Sequence, residues 1–375
     1  MENEEKKVEY IELIYDLIFV YVIGRNNNLL HVIKDGFIDP SSFLTYALTA
    51  LIILQIWYYT ILFINRYGEN DKFMHLAIFV NMYFLYFMAR GIRADWQEEY
   101  YTFNGAWICI LLNIALQYYL QYKKTQKTRP WEIAHIRMNM AIILIEAGIV
   151  AISFPIYHLT GVPLSPAAVL FGIIMAFAGK KVNMMMPIDF GHLTERVMLY
   201  VVFTFGEMII GITDYFEGEL NINTIYFSLS AFLIIAGLFV SYGLLYDRLI
   251  DREISSNGTA YMMIHVVLIL SLNHVTAAIE FMRESEVSAL PKNIFLISSF
   301  ALYYICYFLI MSHNKEEYRP GLKFSVAYFI SMAAFSAVLL ALYKKPEIGI
   351  AISVIYIWIV PMVLRWRYLK RPSAS

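Results

Sequence analysis

Charged residues and cysteines are both scarce in this sequence. Asp, Glu, Lys and Arg make up 16% of the 375 residues, and hydrophobic residues make up 59%, whereas a typical soluble domain has about 25% charged residues. The net charge of −1 gives no basic excess of the kind that attracts nucleic acid. The two cysteines, Cys109 and Cys306, lie inside apolar runs, which favours packed thiols over a disulfide. This composition excludes an ordinary soluble domain and predicts no nucleic-acid partner.

Short signatures of catalysis and cofactor binding are missing as well. The sequence has no HExxH zinc motif, no GxxxxGK[ST] phosphate-binding loop, no GxSxG nucleophile elbow and no CxxC pair. The gaps between apolar runs are too short for a soluble catalytic domain, and the N-terminus MENEEKKVEY lacks the apolar core of a cleaved signal peptide. We therefore expect no cofactor and no metal site, and we favour a non-enzymatic function.

Long apolar runs are what the sequence has in abundance. A helix needs roughly 20 apolar residues to cross the hydrocarbon core of a bilayer. The sixth run is short and begins near Pro163 and Pro166, so a buried or partly re-entrant segment would explain it equally well. We predict an all-α polytopic membrane protein with about twelve transmembrane helices, at residues 8–30, 43–64, 72–90, 104–122, 134–157, 164–179, 195–213, 222–246, 259–281, 293–312, 322–343 and 347–366.

The distribution of Lys and Arg predicts the orientation of these helices, because cytoplasmic loops are enriched in basic residues. If both termini are cytoplasmic, most of the 29 Lys and Arg residues fall on the cytoplasmic side. Arg25 lies near the outer end of the first run. The outer segments then hold Lys34, Arg90, Arg93, Arg283, Lys292, Lys344 and Lys345. We therefore predict a multi-pass protein of the cytoplasmic (plasma) membrane with both termini in the cytoplasm.

The two halves of the chain show a weak correspondence. When the first six runs are laid over the last six, Asp16 falls on Glu207 and His75 falls on His265. An even number of helices in each half predicts parallel repeats, a form also found in transporters. This hypothesis divides the chain into an N-terminal six-helix half, residues 1–190, and a C-terminal six-helix half, residues 191–375.

Two acids, Glu12 and Asp16, interrupt the first apolar run. An ionisable group inside hydrocarbon costs roughly 2.5–3.5 kcal/mol on insertion scales, so its presence needs a structural or functional reason. Their spacing places both acids on one helix face. Two interpretations stay open. Either Glu12 lies at the cytoplasmic interface and Asp16 is paired only for structural specificity, or the two acids form an ion or proton site.

Glu207 is the strongest single candidate for function. It follows Gly206 in the seventh run, about 18 Å of helix beyond Glu195, and the glycine permits close approach of a neighbouring helix. In the ninth run, His265 and His274 lie on opposite sides of a straight helix and cannot chelate one metal ion. His265 is either satisfied within the bundle or part of a proton relay.

Other polar residues in or beside the runs suit interfacial belts, polar turns and internal pairs. Glu146, in the fifth run, is a further acid with no evident partner in the sequence. We assign structural or interfacial roles to Trp57, Asn65, Arg66, Asp71, Glu195, Arg196 and Asp247.

Five segments that follow one another along the chain carry a resemblance to a known family. They are Glu12-Leu-Ile-Tyr-Asp16-Leu-Ile-Phe-Val20, Trp57-Tyr-Tyr-Thr60 with Asn65-Arg-Tyr-Gly-Glu-Asn-Asp71, Glu195-Arg196 through Gly206-Glu207, Leu245-Tyr-Asp247, and Tyr261 to His265. Together they resemble the low temperature requirement A (LtrA) family, whose opening motif is of the type Glu-Leu-Phe-Phe-Asp-Leu-Val-Phe-Val. The chain departs from the family at Val197-Met198, where His-Gly is usual.

The resemblance implies a bacterial multi-pass membrane protein, associated by name with growth in the cold. That association is a phenotype and supplies no mechanism. Our leading hypothesis is a transporter or ion-conducting protein in which Glu12, Asp16, Glu207 and His265 line the pathway. A membrane-embedded lipid-handling enzyme and a non-transporting scaffold or sensor are the alternatives. The expected partners are the lipid bilayer and an unknown small ion or solute, and assembly into a homo-oligomer stays open.

Overall fold

The computed structural model describes residues 6–93, 96–125, 129–216 and 220–369. Within these residues the regular elements are helices, apart from an isolated bridge between Ile250 and Asn314 and one short hairpin, in which β1 (Ile33–Lys34) pairs antiparallel with β2 (Phe37–Ile38). The helices are α1 (Tyr10–Asn27), α2 (Pro40–Tyr67), α3 (Lys72–Arg90), α4 (Trp96–Lys124), α5 (Pro130–Thr160), α6 (Ser165–Ala178), α7 (Lys180–Asn183), α8 (Phe190–Gly211), α9 (Ile222–Leu244), α10 (Thr259–Arg283), α11 (Ala289–Ile310), α12 (Leu322–Ala341) and α13 (Pro346–Leu369).

Local side-chain chemistry sets several helix ends. Asp39 accepts a hydrogen bond from a backbone N–H in the first turn of α2, and Pro40 occupies the first helical position. Asp71 and Asn221 cap α3 and α9 in the same way. The α5 helix is capped at its C-terminal end by Gly161, whose φ of 69° is in the left-handed region that glycine adopts without strain.

Each of the twelve predicted runs coincides with one of the longer helices. In the described part of the chain, ten helices are long and apolar enough to cross a membrane. The α1 helix falls short because it carries Glu12, Asp16 and Arg25, and α6 falls short because it has 14 residues. The prediction of an all-α polytopic membrane protein is confirmed, and a count of twelve membrane crossings stays a prediction.

The chain packs into two compact units. The first consists of Met1–Val32, Asp39–Tyr200 and Glu253–Met262, and the second of Ile33–Ile38, Val201–Arg252 and Met263–Ser375. These units are defined by packing, whereas the predicted halves, residues 1–190 and 191–375, are defined by a sequence correspondence. The duplication therefore stays a prediction.

The α2 helix is the centre of the first unit. Every residue from Ile52 to Asn65 is buried, and α1, α4 and α6 pack against it. Its C-terminal end receives a cation from the segment before α1, because Nζ of Lys6 donates to the carbonyl oxygens of Ile64 at 2.6 Å and Gly68 at 3.1 Å. A positive charge in this position is favoured by the helix dipole.

The second unit is held together through the backbone of α9. The hydroxyl groups of Tyr303 and Tyr307 donate to α9 carbonyl oxygens at 3.0 and 2.9 Å. The indole N–H of Trp358 in α13 donates to a third at 3.0 Å. Close approach of α13 requires glycine at position 237, since a Cβ on Gly237 would lie 2.6 Å from Cγ2 of Ile357. Small residues commonly permit such contacts between membrane helices.

Replacing Gly237 by alanine should therefore destabilise the protein. Overpacking a tight contact costs about 1–3 kcal/mol, so we expect Gly237→Ala to lower the thermal unfolding temperature of the purified protein in detergent. Gly243→Ala is the matched control on the same helix, because no atom lies within 4 Å of the added Cβ. There alanine should be neutral or should stabilise the helix by about 0.5–1 kcal/mol. Equal unfolding temperatures for the two variants would contradict the packing argument.

Candidate functional site

A buried ion cluster, formed by Glu12, Asp16 and Arg196, joins α1 to α8. The guanidinium of Arg196 donates to Asp16 through two hydrogen bonds, from Nε to Oδ2 at 3.1 Å and from Nη2 to Oδ1 at 2.9 Å. Its remaining nitrogen, Nη1, lies 2.8 Å from Oε2 of Glu12. Glu12 is 1% exposed, and Asp16 and Arg196 are fully buried. One guanidinium is thus shared by two carboxylates, which α1 presents one helical turn apart.

Two aromatic residues lie against the Asp16–Arg196 pair. Trp57 of α2 is fully buried, and its Nε1–H donates to Oδ1 of Asp16 at 2.9 Å. Its ring packs on that of Tyr200 with the centroids 4.5 Å apart, and Tyr200 follows Arg196 by one turn of α8. Apolar surroundings strengthen the attraction within the pair because they lower the local dielectric constant.

His192 extends the ion cluster towards the start of α8. Its Nδ1 lies 3.2 Å from Nδ2 of Asn65, and its Nε2 lies 3.4 Å from Oε2 of Glu12. The orientation of the Asn65 amide is fixed, because it donates to the carbonyl oxygen of Asp189 and accepts from the N–H of Asp189, both at 2.9 Å. Since Nδ2 of Asn65 can only donate, Nδ1 of His192 is the acceptor, and a neutral imidazole presents its Nε2–H to Glu12.

Formal charges within the ion cluster do not balance. Its two carboxylates carry two negative charges when ionised, against the single positive charge of Arg196. Outside the ion cluster, the positive charge of Lys6 acts on Glu12, and the negative charges of Asp189 and Glu9 act on Lys6. The ammonium of Lys6 binds backbone oxygens at the end of α2, and burial lowers its pKa. Within Glu12, Asp16 and Arg196 alone, one negative charge is left over when both acids are ionised.

A line of hydrogen-bonded side chains leads from α1 into α3 and α4. The hydroxyl of Tyr15 lies 3.1 Å from Oγ1 of Thr60 and accepts a hydrogen bond from Asn81 at 3.3 Å. Asn81 in turn accepts from Nδ2 of Asn113 at 2.8 Å. Tyr15, Thr60 and Asn81 are buried and Asn113 is half-buried. Tyr15 directly precedes Asp16 in the sequence, so this polar line begins next to the ion cluster along the chain.

The predicted pathway residues are distributed over both packing units. Asp16 and Glu12 lie in the first unit. Asp16 is ion-paired, as one of the two interpretations proposed. Glu12 is also buried, in contact with Arg196. Glu207 and His265 lie in the second unit. Glu207 is half-buried, and Nε2 of the buried His265 lies 3.2 Å from the hydroxyl of Tyr242. A common pathway through these residues stays a prediction.

The remaining structural or interfacial candidates take varied positions. Nε of Arg66 donates to a backbone carbonyl oxygen at 2.8 Å, and Asp71 caps α3. Glu195 is half-buried. Asp247 is exposed in a π-helical turn that follows α9. These four residues do not contact the ion cluster through any bond of the described structure. Arg196 belongs to the cluster, Trp57 donates to it, and Asn65 contacts its neighbour His192.

His192 and Tyr200 are site residues that the sequence analysis missed. They flank Arg196 at a spacing of four residues on either side, which places all three on one face of α8. That spacing was the available signal. A search for metal ligands among the described residues finds no group of three or more His, Cys, Asp or Glu side chains that could hold an ion.

The chain matches a known protein family over most of its length. The family described as "Bacterial low temperature requirement A protein (LtrA)" matches residues 7–363. This match includes every residue of the ion cluster, and it confirms the resemblance carried by the five sequence segments. A comparison with curated proteins finds no match.

Removing Arg196 should be more damaging than removing either acid. Arg196→Gln leaves two buried carboxylates without a cation, and breaking a buried ion pair typically costs about 3–5 kcal/mol. Asp16→Asn and Glu12→Gln each leave one carboxylate balanced by the guanidinium. We therefore expect the thermal unfolding temperature of the purified protein to fall furthest for Arg196→Gln.

Lys124→Gln is the control for this series. Lys124 is 58% exposed and lies 3.2 Å from Glu69, which is 66% exposed, and exposed pairs contribute about 0–1 kcal/mol. Its substitution should leave the unfolding temperature nearly unchanged. If Arg196→Gln lowered that temperature no more than Lys124→Gln does, the ion cluster would not be a major structural element.

Proposed function

We propose that this chain, which belongs to the bacterial low temperature requirement A (LtrA) family, is a transporter of the cytoplasmic membrane that moves a proton or a small cation by way of the ion cluster. The ten helices of membrane-spanning length and composition among its described residues form the required multi-span body. The distribution of Lys and Arg supports placing both termini in the cytoplasm.

The observation that carries the proposal is the sharing of Arg196 by two buried carboxylates. A buried charge without a counter-charge is energetically unfavourable. Counted without Lys6, whose ammonium acts on Glu12, the ion cluster carries one excess negative charge. One added positive charge, either a proton on Glu12 or a cation bound to it, would balance this excess. Ionisable side chains within membrane helices are, for this reason, candidates for ion and proton pathways.

A change in the charge of Glu12 also alters the contact between α1 and α8. When Glu12 is ionised, Arg196 is attracted to both acids. When Glu12 is neutralised, Arg196 pairs with Asp16 alone. Occupancy of Glu12 thus changes the free energy that holds the two helices together. A ligand shifts a conformational equilibrium only through such a difference in interaction between two states.

Two further features support transport. The polar line through Tyr15, Thr60, Asn81 and Asn113 supplies hydrogen-bonding groups away from the ion cluster, as a proton route requires. In the second unit, the half-buried Glu207 remains the proposed counterpart of Asp16. The buried His265 remains a further proposed pathway residue. We extend the proposal to the trait in the family's name, and expect growth in the cold to require this ion movement.

The competing hypothesis is that the ion cluster only fixes the register of α1 against α8. Buried ion pairs can serve such specificity without any further role. Both hypotheses predict that Arg196 matters for folding. The two hypotheses make different predictions for Glu12. Neutralising this residue should leave a scaffold intact but should disable a transporter.

Glu12→Gln should therefore stop ion movement without unfolding the protein. The assay uses proteoliposomes of the purified full-length chain, loaded with a pH-sensitive dye and with potassium or sodium indicators. We expect the wild type to dissipate an imposed proton, potassium or sodium gradient, and the variant to lose most of this flux because glutamine cannot bind or release the charge.

Glu69→Gln is the matched control, since Glu69 is 66% exposed and pairs with Lys124 at 3.2 Å. It should transport as the wild type does. Two outcomes would reject the proposal: no wild-type flux of protons, potassium or sodium, or wild-type flux in a folded Glu12→Gln variant. Growth of a cold-sensitive deletion strain, complemented with the same variants, tests the link to low temperature.

A further inference from the structure

A further buried acid, separate from the ion cluster, lies on α5 in the first unit. Glu146 of α5 is fully buried, and its Oε2 accepts a hydrogen bond from the hydroxyl of Tyr59 at 2.6 Å. The side-chain nitrogen of Gln55 donates to the Tyr59 hydroxyl at 3.1 Å and to the carbonyl oxygen of Val169 at 3.3 Å. Glu146, Tyr59 and Gln55 form the Glu146 site.

Two oxygen atoms of the Glu146 site are left without a donor. Oε1 of Glu146 and Oε1 of Gln55 are both buried and have no hydrogen-bond partner among the described residues. The amide of Gln55 cannot be turned round to relieve this, because Val169 offers only a carbonyl oxygen. A buried acceptor without a donor costs about 1–3 kcal/mol. A proton on Oε1 of Glu146 would remove the charge of the carboxyl group and turn one of the two unmatched acceptors into a donor.

No basic side chain is available from α5 or from α2 to balance a charge on Glu146. Between residues 138 and 157, Glu146 is the only Asp, Glu, Lys, Arg or His of α5. Residues 40–65 of α2 contain none of these types. The titratable side chain that contacts the carboxyl group is Tyr59, which donates to it.

The other helices that pack on α5 are equally free of cations near this depth. Residues 100–122 of α4 contain no Asp, Glu, Lys, Arg or His, although Cys109 lies among them, and α6 has no titratable residue. The short α7 carries Lys180 and Lys181 and is hydrogen-bonded to α5 at Asn139. Asn139 precedes Glu146 by about 10 Å of helix.

The α6 helix closes over the site at Gly172. A Cβ there would overlap Nε2 of Gln55 and the hydroxyl of Tyr59, and would lie 2.7 Å from Oε2 of Glu146. The absence of a side chain at this position therefore gives the three polar groups the space they occupy. The site is built from the three helices α2, α5 and α6, and the backbone of α6 shields it.

We infer that the Glu146 site binds a single proton, carried by Glu146 as a neutral carboxylic acid that accepts from Tyr59 through Oε2 and holds the proton on Oε1. The proton comes from water and returns to water, so no other reactant is needed. This site is separate from the ion cluster, and the inference does not rest on the proposed function.

Infrared spectroscopy of the full-length protein in lipid bilayers tests the inference directly. A protonated carboxyl group has a C=O stretching band distinct from those of a carboxylate and of an amide. We expect such a band at neutral pH in the wild type, its loss in Glu146→Gln, and its shift in Tyr59→Phe, which removes the hydrogen bond to Oε2. Gly172→Ala should shift it as well, because the added methyl group displaces Tyr59 and Gln55.

Glu69→Gln is again the control and should leave the band unchanged. A folded Glu146→Gln variant with the wild-type spectrum would overturn the inference. If that variant does not fold, an unshifted band in Tyr59→Phe would overturn it instead. Loss of the wild-type band on addition of sodium chloride would show that the two free oxygens bind a metal cation rather than a proton. These readouts do not depend on transport, so either proposal can fail without the other.

Discussion

The shared guanidinium of Arg196 is the interaction on which the polar interior of the first unit depends. Its bidentate contact with Asp16 and its approach to Glu12 tie α1 to α8, and Trp57 brings in α2. In apolar surroundings each of these charges would be strongly unfavourable alone, since a low dielectric weakens solvation and strengthens pairing. The three helices are therefore held in one register, because a shift of any of them would separate a buried charge from its partner.

The α2 helix keeps the two buried acidic sites apart. Trp57 contacts the ion cluster and Tyr59 contacts Glu146, and a separation of two residues corresponds to about 200° around a helix. One almost wholly buried helix thus presents a different polar partner to each side. The two sites also differ in their chemistry. The ion cluster contains a permanent cation, whereas the Glu146 site contains only neutral donors and acceptors beside its carboxyl group.

Family membership and site geometry support different levels of conclusion. The match over residues 7–363 establishes the family and agrees with a multi-span helical body. The geometry adds two observations that bear on ion chemistry. In the ion cluster two buried carboxylates share one guanidinium, and in the Glu146 site a buried carboxyl group has no cation beside it in the described part of the chain. Fold alone would not distinguish a transporter from a scaffold, because one helical bundle can serve either purpose. The distinction lies in how Glu12 responds to a change of charge.

The sequence by itself determined the helices, their approximate bounds and the presence of acids within them. Apolar runs near the thickness of a bilayer must be helical, because backbone groups in hydrocarbon need partners within the segment. Only the tertiary structure decided which charges meet. Arg196 lies 180 residues from Asp16 and near the start of its run, so its position suggested an interfacial role. Helix formation is local, with each bond spanning four residues, whereas the choice of a partner depends on packing between helices distant in the chain.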